Sequence, residues 1–113
     1  MKEFLFIFRR DDKAIPKDSP EEMQAMTKKW MDWIDGIAAQ NKLVKTGKWL
    51  SADGKVVRAN GVITDGPYTE IKETLISHCT IRAESIEEAA ELAKGCPVLL
   101  IGGNVEIREI GGS

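Results

Sequence analysis

The sequence predicts an α+β fold, a ferredoxin-like sheet carrying two helices and an inserted β-hairpin. Three observations carry that prediction. A continuous apolar strand, Phe4-Leu5-Phe6-Ile7-Phe8, lies near the start of the chain. Two Ser-x-x-Glu capping boxes, Ser19 with Glu22 and Ser85 with Glu88, each start a run of helical apolar spacing. β-prone stretches lie between and after them, so the order reads β, α, β-hairpin, β, α, β.

Phe4 to Phe8 is apolar throughout and is bounded by Arg9 and Arg10, as suits an interior strand with apolar groups on both faces. Pro20 fits the first helical position. Met23, Met26, Trp30, Trp33, Ile34 and Ile37 then recur at helical spacing down to about Gln40. Such a Met/Trp stripe reads as core packing before it reads as a ligand site. Leu43 to Leu50 is the second expected strand, followed by Asp53-Gly54 as a tight hairpin turn. Val56 to Thr64 returns as the other arm, loosened by Asn60-Gly61. A charged connection beginning at Asp65 leads to a strand from Leu75 to Ala83. Ala89, Ala90, Leu92 and Ala93 fill the second helix, which Gly95 is expected to end in the left-handed conformation with Pro97 just beyond. The last strand, Asn104 to Ile110, alternates Val105 and Ile107 with Glu106 and Arg108.

Right-handed crossovers place both helices on one face of the sheet. The opposite face has no cover within the chain. A bare face bearing either Phe4, Phe6 and Phe8 or Leu5 and Ile7 is an exposed apolar patch, and burying it against a second copy predicts a homodimer.

A chain of 113 residues is expected to form one domain spanning 1–113, and 42% apolar with 30% charged residues is a globular composition. Its net charge is −2 and no Lys/Arg cluster offers a phosphate-tracking stripe, so nucleic acid is not an expected partner. The apolar run at the start spans five residues, too few for a signal core or a membrane span, which predicts a soluble cytoplasmic protein without membrane contact. Cys79 and Cys96 have neither metal-ligand spacing nor the numbers of a disulfide framework, and no neighbouring cations activate a thiolate. With a single histidine as well, no metal and no cofactor is expected.

That histidine, His78, is the candidate catalytic residue. Period-two geometry turns Leu75, Ser77, Cys79, Ile81 and Ala83 toward the helices and Ile76, His78, Thr80 and Arg82 toward the dimer side. An imidazole, a hydroxyl and a guanidinium in one row suit a carboxylate or an enolate, and a histidine's ordinary pKa fits acid–base work near neutrality. The plainer alternative is a polar strand residue meeting water or a partner chain. In the connection, Asp65, Gly66 and Pro67 have turn chemistry, with Asp65 able to bond the backbone that follows. Asp65, Tyr68, Glu70 and Lys72 are equally candidates for a pocket wall on a rigid scaffold, while Glu70, Lys72 and Glu73 also read as a solvated or ion-paired loop. Gly102-Gly103 enters a strand rather than a helix and so does not read as a phosphate loop.

The segment Asp65-Gly66-Pro67-Tyr68-Thr69-Glu70-Ile71-Lys72-Glu73 resembles the signature of the DGPF-domain branch of the YCII-related family. The likeness continues through Thr46-Gly47, Asp53-Gly54-Lys55-Val56-Val57-Arg58, Val62-Ile63-Thr64, Ser85-Ile86-Glu87-Glu88-Ala89, Ala93-Lys94-Gly95-Cys96-Pro97 and Gly102-Gly103-Asn104-Val105-Glu106-Ile107-Arg108. It implies a dimeric α+β barrel in which two ferredoxin-like protomers pair through their sheets. Where family members commonly carry a Gly-Gly-aromatic run, this chain has Ile76-Ser77-His78. A histidine–aspartate pair proposed for one branch has no counterpart, since no histidine occurs in the first 77 residues. Related barrels include lactone isomerases and dehalogenases, and fold alone does not choose among activities. The resemblance therefore implies a protein of unassigned activity that binds a small molecule in a cavity between the sheet and the dimer partner. One alternative is a cofactor-independent acid–base enzyme acting on a small carbonyl compound or lactone, with His78 carrying the proton and Arg82 or Lys72 anchoring an anion. The other is a non-catalytic regulatory or structural dimer.

Overall fold

The computed structural model describes residues 1–10, 19–51, 53–66 and 74–111. The elements are β1 (Lys2–Arg10), α1 (Pro20–Ala39), β2 (Leu43–Thr46), β3 (Gly54–Val57), β4 (Ile63–Gly66), β5 (Thr74–Ala83), α2 (Ile86–Ala93), a 3-10 turn (Pro97–Ile101) and β6 (Asn104–Glu109). Four strands form an antiparallel sheet in the order β2-β5-β1-β6, with β3 and β4 in a separate two-stranded sheet. This is the expected ferredoxin-like α+β arrangement with an inserted hairpin.

The apolar strand supplies the core. Phe4, Phe6 and Phe8 are buried on one face of β1, in register with Ile81, Cys79 and Ser77 of β5. Trp30 and Ile37 of α1, with Ala89 and Ala93 of α2, close over the same face, so both helices lie on one side. The rings interlock: Phe6 stacks on Trp33 at 6.2 Å between centroids, and Phe8 meets Trp30 edge-on at 4.9 Å. Both helices start where the capping boxes place them, with Ser19 Oγ accepting from Glu22 N–H and Ser85 Oγ from Glu88 N–H, each at 3.2 Å. Met23, the outermost residue of the predicted stripe, lies in the first turn of α1 and is exposed.

Four details differ from the sequence reading. Ordered pairing in β2 ends at Thr46 instead of Leu50, after a register shift between Leu43 and Lys45. The hairpin turn lies at Asn60-Gly61, not Asp53-Gly54, because Gly61 takes the left-handed conformation (φ +78°) and its N–H bonds Arg58 O at 2.9 Å. Gly95 is not left-handed. It sits under Trp33, where a Cβ would come within 3.1 Å of the ring, and the indole N–H donates to Leu92 O at 3.0 Å. The left-handed glycine after α2 is Gly102, capping the 3-10 turn that the sequence reading did not anticipate. Finally, Ile76 is buried instead of facing outward: a register shift between Phe8 and Arg9 pairs Arg9 with Leu75 and breaks the period-two alternation there.

The sheet face away from the helices carries Leu5 and Ile7 of β1, both half-buried, beside Thr80 and His78 of β5 and Arg108 and Glu106 of β6. It is a mixed surface, narrower in apolar content than a three-phenylalanine face would be.

Candidate functional site

After β2 the chain keeps following β5 without regular pairing. Gly47 N–H donates to His78 O at 2.9 Å, Leu50 N–H to Ile76 O at 2.9 Å, and the buried Ser77 hydroxyl to Lys48 O at 3.0 Å. These three bonds hold Trp49 beside α1, where it meets Trp30 edge-to-face at 5.0 Å. The arrangement leaves a half-open cleft of about 330 Å³ between α1 and the sheet edge. From α1 come Trp30, Met31 and Ile34; Thr46, Gly47 and Trp49 form the opposite wall. Phe8, Ser77, His78 and Cys79 complete it from the sheet.

The cleft explains a glycine. A Cβ on Gly47 would collide with the His78 carbonyl oxygen and approach Cε1 and Nδ1 of its imidazole to 2.9 and 3.0 Å. Gly47 thus lets the imidazole fold over the backbone at the rim of the cleft. Gly47→Ala is expected to push the Gly47–Leu50 segment off β5 and to lower stability by about 1–3 kcal/mol. Urea unfolding followed by tryptophan fluorescence checks this, and an unchanged midpoint would refute the tight fit.

His78 itself is exposed, and no hydrogen bond to its imidazole forms among the described residues. Thr80 and Arg82 follow it at two-residue steps on the helix-free face and do not line the cleft. The Arg82 Nε is buried there without an acceptor among the described residues. Asp65 belongs to the separate two-stranded sheet, where it pairs across strands with Lys55 at 2.6 Å. Tyr68, Glu70 and Lys72 lie outside the described residues. A neighbouring cleft of about 370 Å³ shares Trp49 and adds Arg10, Ser51 and Thr74.

Chemistry at the cleft is restrained. Burial pushes the Cys79 thiol up to about 12, and Cys96 likewise to about 12, so neither is a thiolate near neutrality. No group of three or more metal-ligating side chains occurs among the described residues. No described helix is long and apolar enough to cross a membrane.

Trp49, Trp30 and Gly47 are the site residues that sequence reasoning passed over. Trp30 was absorbed into the helical stripe. Trp49 belonged to an expected strand, although an aromatic beside Gly47 at a strand end was a usable signal. Among comparisons with known proteins, the family model for the YCII-related domain matches residues 3–111. No curated protein matches the chain.

Proposed function

We propose, from the premise that this chain belongs to the YCII-related family, that it is a small-molecule-binding homodimer whose ligand sits between α1 and the Gly47–Leu50 segment. The observation that carries the binding reading is the cleft: about 330 Å³, in the range of ligand sites, with tryptophan walls and at its rim an imidazole that makes no hydrogen bond among the described residues. Two surfaces support the homodimer. Leu5 and Ile7 lie on a sheet face that neither described helix covers. The β3–β4 hairpin leaves Val57 and Ile63 exposed at 69% and 64%, and a lone two-stranded hairpin is marginal in water. A second copy gives both a dry contact.

Native mass spectrometry of protein purified from its host is expected to give twice the 12.5 kDa chain mass with a small molecule retained. A single-chain mass at micromolar concentration overturns the dimer. A fragment screen by NMR that shifts neither the Trp30 nor the Trp49 indole signal overturns the binding site.

The acid–base alternative has one observation behind it, the His78 imidazole bordering the cleft with no hydrogen-bond partner among the described residues. An acid–base pair also needs a group to orient it, and no carboxylate lines the cleft among the described residues. Binding is therefore the preferred reading.

A further inference from the structure

We infer that the group seated in the α1–Gly47 cleft is an uncharged ring, aromatic or conjugated, carrying one hydrogen-bonding atom; this rests on the binding reading above. Size sets the first limit. A volume of about 330 Å³ equals that of on the order of ten waters, which admits one ring or two fused rings.

Charge sets the second. No lysine, arginine, aspartate or glutamate lines the cleft among the described residues. A carboxylate or phosphate seated beside Phe8, Trp30 and Trp49 would give up part of its water with no lysine or arginine in the described lining to compensate. A cation fares little better, although aromatic rings can attract one. Trp30 makes two T-shaped contacts, with Phe8 at 4.9 Å and Trp49 at 5.0 Å, so the rings stand at right angles to one another instead of forming a cage of open faces.

The polar groups set the third limit. The Ser77 hydroxyl is committed to Lys48 O at 3.0 Å, and the Cys79 thiol is a weak donor. The indole N–H groups of Trp30 and Trp49 also line the cleft and can donate; the polar side-chain groups beside Gly47 are the imidazole of His78 and the hydroxyl of Thr46. One phenol-, carbonyl- or ring-nitrogen-like atom satisfies them, while the remaining ring area continues the edge-to-face cluster.

The test is a matched series on the full chain, read by the tryptophan indole N–H signals in 1H–15N spectra: p-cresol, 4-methylbenzoate, 4-methylbenzylammonium and 4-methylcyclohexanol. Trp33 is the internal control, because its N–H is held by Leu92 O and it does not line the cleft. Saturable shifts of Trp30 and Trp49, but not Trp33, are expected with p-cresol, and binding of the other three should be weaker by about tenfold or more. Trp49→Ala, at a residue 59% exposed and so tolerable to the fold, is expected to weaken p-cresol by a similar factor. Equal or tighter binding of either ion at the same signals overturns the uncharged class while leaving the binding site standing. Equal binding of 4-methylcyclohexanol overturns the ring preference. If no member of the series shifts Trp30 or Trp49 at millimolar concentration, both the class and the site fall.

Discussion

Phe6→Ala is expected to lower the unfolding free energy by about 3–5 kcal/mol, the range for emptying a fully buried aromatic site. Phe6 is wholly buried on an interior strand, in register with Cys79 on one side and Ile107 on the other. Its ring stacks on Trp33 at 6.2 Å and meets Phe8 edge-on at 6.5 Å. Removing it takes away a contact to α1 as well as the transfer energy of the ring, and strands paired on both sides cannot collapse into the gap. A domain of this size has about 5–15 kcal/mol in total, so the variant should unfold at markedly lower urea. Phe6→Leu keeps much of the volume and should cost less, about 1.5 kcal/mol. The pair separates packing from aromatic geometry. A loss under about 1 kcal/mol for Phe6→Ala would mean that the three-phenylalanine face is not the core.

The strand was legible in the sequence because its apolar run is local, but its inward face was not. Alternation leaves two choices, and only packing against the helices shows that Phe4, Phe6 and Phe8 are the buried set. The capping boxes were legible for the same reason as the strand, since a serine oxygen and the N–H three residues on are fixed by one turn of backbone. The hairpin turn was not. Asp53-Gly54 and Asn60-Gly61 both have turn chemistry, and only strand pairing decides between them. The site was less legible still. His78 was found because it is the sole histidine, but its surroundings come from a break in regular pairing after Thr46, which brings Trp49 against Trp30. Asp65, which the sequence pattern allowed as a pocket wall, is held in the hairpin by Lys55 through a cross-strand register that no motif encodes.

Alkaline instability is the second large expected effect, and it comes from the two cysteines. Burial, the leading cause in both, raises Cys79 and Cys96 from 9.0 to about 12 in the folded chain; a thiolate at Cys96 would further oppose one at Cys79. Below pH 9 both thiols are protonated whether the chain is folded or not, and stability does not depend on them. Between pH 9 and about 12 the unfolded chain releases protons that the folded chain retains, so the unfolded state binds fewer and stability falls as pH rises. Each thiol contributes up to about 1.4 kcal/mol per pH unit in that window. Allowing for partial solvent relaxation, the pair should cost about 2–4 kcal/mol by pH 10.5. Other groups also lose protons at high pH, so wild type alone does not assign the cause. The Cys79→Ala/Cys96→Ala double variant does. It starts lower at pH 8, because two small buried side chains are trimmed, but its stability should decline more gently from pH 9 to 10.5. Urea midpoints at the two pH values for both proteins give the difference directly. Parallel declines would show that the thiols ionise freely in the folded chain, and hence that the sheet–helix interface around Cys79 admits water.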